Sequence, residues 1–335
     1  MATLPLLPQL TPERPGPKLI GIARLAADGE SVRQGHEVEY FTLPARSVLN
    51  RCVSKREMPF TWTINPYRGC EFACKYCYAR YTHEFMEMRD GIAFEQKIYI
   101  KQHAAELLRQ ELRHVKPGEE IAIGTATDPY QPAEKRFEVT KGILEELARH
   151  EGLELGIITK SNLVVRDLEL LGEINRKNRL HVSLTITTMD AKLARILEPR
   201  APRPDLRMQA VKQLSAAGIR TGISCSPVLP GITDSAKNLE GVVKSAAGAG
   251  AKGIFANPLF LKPCSAAVFM PFLQEEFPKL YEEYRKRYEK HAFLPKAYHQ
   301  RISELMKRLR EKHGLGERRR ADAVVVQKAP QMSLF

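Results

Sequence analysis

Cys70, Cys74 and Cys77 stand together in the run Arg68-Gly69-Cys70-Glu71-Phe72-Ala73-Cys74-Lys75-Tyr76-Cys77-Tyr78. The spacing is C-x3-C-x2-C, with an aromatic residue directly before the third cysteine. Three thiolates so close on one loop suit a metal ion or an iron–sulfur cluster. Three protein ligands on a four-iron cube leave one iron without a protein ligand, free to bind something else. Zinc is the rival reading: a zinc site wants four ligands, and His83 follows closely enough to be the fourth. Disulfides fit poorly, because six cysteines in 335 residues is sparse and residues 1–18 are proline-rich, without the apolar run of a secretory signal.

A loop of this kind needs a scaffold, and the chain supplies a rhythm from about residue 60 onward. Residues 61–65 predict a strand leading into the cysteine loop. Residues 102–115 predict a helix, with Ala104, Ala105, Leu107, Leu108 and Leu112 on its apolar face. Strands are predicted at 120–125, 153–159, 181–187, 219–227 and 253–257. Helices are predicted at 140–150, 163–176, 204–217 and 234–249, with Ser161 or Asn162 as the N-cap of the second and Gly218 closing the third. Strands alternating with helices predict βαβ units and a parallel sheet. Six strands are too few for a closed eight-fold barrel and fit an open, partial (βα)6 barrel. The expected fold is therefore α/β: a partial barrel over 60–262, an N-terminal extension over 1–59 and a C-terminal helical appendage. Within the extension, Pro12 and Pro15 mark a disordered start and 37–43 is a candidate strand. The appendage is a basic helical region over 263–315, with long helices at 269–291 and 295–313, followed by a flexible tail over 316–335. Barrels of this type place chemistry at the C-terminal ends of their strands, and the cysteine loop follows the first.

The other strand ends are polar as well. The second ends in Gly124-Thr125-Ala126-Thr127-Asp128-Pro129-Tyr130-Gln131-Pro132, where small residues admit a ligand to the backbone and hydroxyls suit an amino group. The third ends in Thr159-Lys160-Ser161, and a lysine facing the site pairs with a carboxylate. In the fourth, Ser183, Thr185 and Thr187 alternate with Val182, Leu184 and Ile186, so the hydroxyls share one face. That is unusual for a strand apolar on both sides, although threonine is also simply a good strand former.

The cysteine pattern resembles the signature of radical S-adenosylmethionine (SAM) enzymes. The resemblance sharpens in Asn65-Pro66-Tyr67-Arg68-Gly69-Cys70, in the Thr-Asp-Pro-Tyr-Gln-Pro run, in Thr159-Lys160-Ser161, in the Val-Ser-Leu strand, and in Glu198-Pro199 followed by Arg203 and Arg207. Over about residues 60–262 these motifs are similar to the spore photoproduct lyase, or DNA repair photolyase-like, branch. The resemblance implies a 4Fe-4S cluster on Cys70, Cys74 and Cys77 whose free iron chelates SAM. An electron from the cluster then cleaves SAM to methionine and a 5′-deoxyadenosyl radical. It also implies Tyr76 beside the adenine, Thr125 and Thr127 near the cofactor, Lys160 on the methionine carboxylate, and Ser183 on the ribose or methionyl part. An electron donor such as flavodoxin or ferredoxin is a further implied partner. One departure matters. Spore photoproduct lyase has a hydrogen-returning cysteine just after its second strand, where this chain has Thr125, whose O–H bond is too strong for that step. Cys225, at the end of the fifth strand, is a candidate replacement donor; the plainer reading makes it a small buried core residue. Cys52 and Cys264 read as ordinary thiols.

The chain carries a net charge of +13, which suits a polyanionic partner, nucleic acid first and DNA in particular. Residues 279–320 hold 14 Lys and Arg against 6 Asp and Glu. No stretch approaches the apolar length needed to span a membrane, and the expected location is the cytoplasm. The terminal Gln331-Met332-Ser333-Leu334-Phe335 resembles the short peptide with which bacterial replication and repair proteins dock on the sliding clamp, placing Gln331 in a polar notch and Met332, Leu334 and Phe335 in apolar pockets. The sequence thus points to a radical SAM enzyme, most naturally one acting on a DNA lesion. A radical SAM enzyme acting on RNA or a small molecule, and a non-enzymatic zinc module that binds nucleic acid, remain alternatives.

Overall fold

The computed structural model describes residues 19–35, 37–53 and 58–316. Pro12, Pro15, the triplet Arg318-Arg319-Arg320 and the terminal 331–335 lie outside them. In chain order the strands are β1 (Ser31–Gly35), β2 (Val38–Leu43), β3 (Leu49–Arg51), β4 (Trp62–Ile64), β5 (Tyr67–Arg68), β6 (Lys97–Lys101), β7 (Glu120–Ile123), β8 (Glu154–Thr159), β9 (Arg179–Thr185), β10 (Arg220–Val228) and β11 (Gly253–Pro258).

The central sheet runs β11-β10-β9-β8-β7-β4-β3. The strands from β4 to β11 in this order are parallel, and β3 adds an antiparallel edge. This is the open six-stranded βα arrangement that the alternating pattern predicts. Alternation along each strand sorts its side chains. Ile121, Ile157, Val182, Leu184 and Ile223 face the helices and join Ile143, Leu147, Leu171, Val211 and Val242 in one core. In β10 the helix side carries Thr221, Ile223 and Cys225, and Thr221 meets Ser215 of helix Pro204–Ala216 at 3.0 Å. Gly222, Ser224 and Ser226 therefore take the concave side. Thr159 pairs with Leu184 and Thr185 pairs with Ser224, so Lys160, Thr185 and Ser224 stand at one level of the concave face.

Much of the segment read as an N-terminal extension is built into sheets. β1 and β2 join β6 and β5 in a four-stranded sheet, order β1-β2-β6-β5. One face packs Val38, Tyr67, Ile98 and Ile100 together. The other packs Leu43 and Tyr99 with Ala26 of helix Gly21–Ala27 and with Met86. β5 leads straight into the cysteine loop, so this sheet anchors the loop from outside the barrel.

The helix expected over 269–291 is two helices, Pro263–Glu276 and Pro278–Tyr288. The break falls at Phe277, whose φ of −135° and ψ of 56° leave the helical region. Pro278 explains it, because the proline ring disfavours helical geometry in the residue before it and offers no N–H. The first helix buries Phe269, Phe272 and Leu273 with Phe72, Tyr76 and Leu197, roofing the cysteine loop. Helix Lys296–Lys312 packs Ile302, Met306 and Leu309 into the main core beside β11. Among the described residues no helix is long and apolar enough to cross a membrane.

Candidate active site

The cysteine loop follows β5 at the C-terminal end of the barrel strands. Gly69 opens it with φ +85°, and a Cβ there would lie 2.6 Å from the Lys97 carbonyl and 2.9 Å from that of Phe94. Only glycine fits such an approach. The loop backbone is then tied from several sides. The Cys70 amide donates to the Phe94 carbonyl at 2.9 Å, the Lys75 amide to Leu197 at 3.0 Å, and the Cys77 amide to Cys74 at 3.1 Å. Arg80, 1% exposed, donates to the Cys74 carbonyl at 3.0 Å and pairs with Glu95 at 2.6 Å. Ser265, from the roofing helix, donates to the Cys77 carbonyl at 2.9 Å.

The run after β7 buttresses the same loop. Thr127 donates to the Gly69 carbonyl at 2.5 Å, and Gln131 donates to that carbonyl at 3.2 Å while accepting from the Glu71 amide at 3.0 Å. Asp128 accepts from the Thr159 hydroxyl at 2.6 Å and the Lys160 amide at 2.7 Å, fixing the β8 end to the β7 end. Asn65 donates to the Thr125 hydroxyl at 3.3 Å and accepts from the Ala126 amide at 2.7 Å. Tyr78 donates its hydroxyl to the Thr125 carbonyl.

Beside the loop lies a buried charged group. The Tyr76 hydroxyl donates to Glu198, whose other carboxylate oxygen is 2.5 Å from Arg207. Arg207 also donates to the carbonyls of Pro202 at 2.7 Å and Thr185 at 3.0 Å. The Lys160 ammonium lies 5.5 Å from the Tyr76 ring centroid. Glu198 and Arg207 are each 1% exposed. Burial opposes ionisation of Glu198, but Arg207 and Lys160 outweigh it and hold its carboxyl below the usual carboxylate range. Burial and the Glu198 charge push the Tyr76 phenol well above its ordinary value, so it stays a donor.

The predicted site residues divide into groups. Cys70, Cys74, Cys77, Tyr76 and Lys160 come together at the mouth. Thr127 is buried and its hydroxyl donates to the Gly69 carbonyl, so it positions the loop. Ser183 sits one level below Lys160, where it lines a cavity of about 30 Å³ with His181, Gly222 and Phe255. Thr185 and Ser224 are the hydroxyls level with Lys160. Cys225 is turned the other way: it is fully buried among the helix-facing residues and its thiol donates to the Ile186 carbonyl at 3.1 Å. It therefore faces away from the concave side, which supports the plainer reading of a small buried core residue over that of a hydrogen donor. Glu198 and Arg207 stood out in the sequence only through a motif. Arg80 carried no signal there at all.

The donor set fits an iron–sulfur cluster better than zinc. Burial pushes the Cys70 thiol well up and that of Cys74 up to about 12, so a bare loop holds these thiols protonated, and coordination must deprotonate them. Lys160 and Arg207 provide positive charge beside the resulting Cys74 thiolate, against Glu198 there and Asp128 beside Cys70. His83, the candidate fourth zinc ligand, is engaged elsewhere. His83 packs edge-on against Phe94 and Tyr99, its Nε2 lies 3.1 Å from the Lys97 carbonyl, and burial pushes its pKa down to about 4. Among the described residues no three His, Cys, Asp or Glu side chains are gathered to hold one metal ion. A four-iron cube asks for less, since each thiolate takes its own iron.

Comparison with known proteins agrees with this geometry. The Radical SAM superfamily model matches residues 64–240. An uncharacterized protein of Mycobacterium tuberculosis (strain ATCC 25618 / H37Rv) is 35% identical over 306 residues, covering 90% of this chain and 87% of its own. An uncharacterized protein of Methanocaldococcus jannaschii is 30% identical over 224 residues, covering 66% of this chain and 78% of its own. Among solved structures, a spore photoproduct lyase mutant with bound AdoMet and dinucleoside spore photoproduct superposes with a TM-score of 0.60 at 14% identity, covering 82% of this chain and 79% of that one. That last likeness is one of fold. With a family model spanning more than half its length and a relative matched along nearly all of it, the chain belongs to the radical SAM superfamily.

Proposed function

We propose that this protein is a radical SAM enzyme acting on nucleic acid. The observation that carries the enzyme reading is the buttressed loop of Cys70, Cys74 and Cys77 at the strand ends, beside Lys160 and the buried Glu198–Arg207 pair. Cys70, Cys74 and Cys77 would hold a 4Fe-4S cluster, with SAM beside it. When bound, this pair supplies reductive cleavage of SAM and a 5′-deoxyadenosyl radical that removes a hydrogen atom from substrate. The chain's own residues bind and shelter. Lys160 offers an ammonium to the carboxylate of the amino-acid moiety. Thr185 and Ser224 offer hydroxyls at the same level. Tyr76, held by Glu198, fixes the loop between Cys74 and Cys77. The helix Pro263–Glu276 covers one side of the loop through Phe269 and Phe272.

Nucleic acid is favoured as substrate by the net charge of +13 and by exposed cations on the terminal helices that form no ion pair among the described residues, such as Lys279, Lys286, Lys307 and Arg308. Part of the basic charge there is spent on the fold: Arg301 pairs with Asp234 at 2.7 Å and Lys312 with Glu240 at 2.7 Å. A protein of similar fold takes a dinucleoside spore photoproduct, which supports a lesion-like substrate. Reconstituted protein, reduced anaerobically with SAM, is expected to release more 5′-deoxyadenosine with UV-irradiated DNA than with intact DNA. Equal release with both would redirect the reading to RNA or a small molecule.

A further inference from the structure

Among the described residues, two cations near the rim of the mouth, Arg68 and Lys101, form no ion pair. Lys101 ends β6, and its amide donates to the Pro66 carbonyl at 3.3 Å. Pro66 follows Asn65, whose side chain closes on Thr125 and Ala126 at the barrel end. Lys101 is only 6% exposed and shares its sheet face with Tyr99 and, across β2, Leu43. Arg68 pairs with Tyr99 across β5 and β6, which makes it the diagonal neighbour of Lys101 on that face, about 7–8 Å away along the backbone. The Arg68 Nε is buried without a partner, and its guanidinium makes one long bond, to the Thr82 carbonyl at 3.5 Å. Among the described residues neither cation forms an ion pair.

This contrasts with the other buried charges of the fold, such as Arg80 with Glu95, Arg207 with Glu198 and Arg166 with Glu134. Glu111 is the carboxylate whose charge reaches Lys101, but one of its oxygens is taken by the amides of Val48 and Leu49 at 3.0 and 2.8 Å. Burial, reinforced by the Arg68 charge and opposed by Glu111, pushes the Lys101 ammonium down to about 7. Buried charge is normally paired because leaving it unpaired is costly, so a pair of unmatched cations fits an anion that arrives with a ligand. A guanidinium fork beside an ammonium matches the oxygens of a phosphate. The surface next to Arg68 continues the theme. Lys262 sits 3.6 Å over the ring of Tyr81, and Tyr81 meets the exposed Phe85 edge to face. Aromatic faces interleaved with cations suit stacked bases.

We propose that Arg68 and Lys101 form a phosphate-binding site at the rim of the barrel mouth, occupied by the backbone of the nucleic acid whose base enters the mouth. The occupant rests on the nucleic-acid reading above; the phosphate chemistry does not. The test uses the full-length chain and Lys101→Met. At pH 7 in chloride the variant is expected to melt at or above the wild-type temperature, because it removes an unmatched buried cation. Inorganic phosphate at equal ionic strength is expected to raise the melting temperature of the wild type more than that of the variant. Equal phosphate shifts, or a variant melting several degrees lower in chloride, would overturn the site. A second arm titrates a single-stranded oligonucleotide across salt concentrations. A salt slope lower by about one in the variant assigns the phosphate to the nucleic-acid backbone. An unchanged slope with the phosphate shift intact would assign it to free phosphate or a phosphorylated small molecule. A wild type that binds no oligonucleotide would remove the nucleic-acid reading while leaving the phosphate result to stand.

Discussion

Removing the Glu198 charge should cost more stability than removing Arg207, and removing both should cost less than the sum. The perturbations are Glu198→Gln, Arg207→Met and the double variant. Both side chains are 1% exposed and 2.5 Å apart. Glu198→Gln keeps an oxygen for the Tyr76 hydroxyl but leaves the buried Arg207, with the partly buried Lys160 close by, without its paired carboxylate. Breaking a buried pair by removing one partner costs about 3–5 kcal/mol, and the extra cation places this variant at the upper end. Arg207→Met leaves a carboxylate that Lys160 still partly offsets, so its cost lies at the lower end, with the lost bonds to the Pro202 and Thr185 carbonyls included. The double variant leaves no charge from the pair, so the coupling should be about 2–3 kcal/mol, within the range measured for side chains in contact. Urea unfolding of cluster-free protein reads these differences from midpoints and slopes. Additive costs, or single variants within about 1 kcal/mol of wild type, would refute the claim that this pair is a coupled charged unit beneath the cysteine loop.

Two further outcomes follow from the same geometry, and a third from the resemblance of residues 331–335 to a clamp-docking peptide. The His83 pKa is depressed from 6.5 to about 4 by burial. Its neutral form therefore contributes stability that is present above pH 6.5 and lost as pH falls toward 4, about 3 kcal/mol in all; in urea melts, His83→Gln should flatten that part of the pH profile, and an unchanged profile would contradict the burial argument. Cys225→Ala should leave 5′-deoxyadenosine formation and its substrate dependence intact, at a cost of about 1–2 kcal/mol in unfolding free energy, whereas loss of turnover in a folded variant would return the thiol to the chemistry. Deleting residues 331–335 should abolish pull-down by the bacterial sliding clamp without changing SAM cleavage, and unchanged pull-down would remove the clamp as a partner.

The parts of the fold that were legible in the sequence are those governed by local pattern. Alternating apolar strands and amphipathic helices disclosed the parallel sheet, and the hydroxyls of Ser183 and Thr185 share one face as period two requires, which the register shows to be the concave one. The same rule, applied to the fifth strand, would have set Cys225 against the helices beside Ile223, leaving Ser224 and Ser226 inside. Pro278 would likewise have broken the 269–291 helix. What stayed hidden depends on contacts between distant segments. Tyr76 and Glu198 are 122 residues apart, and nothing local marks them as partners. The anchoring sheet draws β6 from between the cysteine loop and the second barrel strand to pair with β2, so neither strand betrays the other. The bond from Thr127 to the Gly69 carbonyl was equally hidden, because a hydroxyl at a strand end is suited both to a cofactor and to a backbone carbonyl.

The central claim is that Cys70, Cys74 and Cys77 hold an iron–sulfur cluster that cleaves SAM. Its most direct test is the anaerobic reconstitution of wild type and Cys74→Ala with iron and sulfide, followed by metal analysis and by assay of 5′-deoxyadenosine after reduction with SAM present. The account predicts about four irons per wild-type chain and 5′-deoxyadenosine that disappears in Cys74→Ala. Zinc without iron in anaerobically purified protein, or a full iron complement with no 5′-deoxyadenosine, would contradict it.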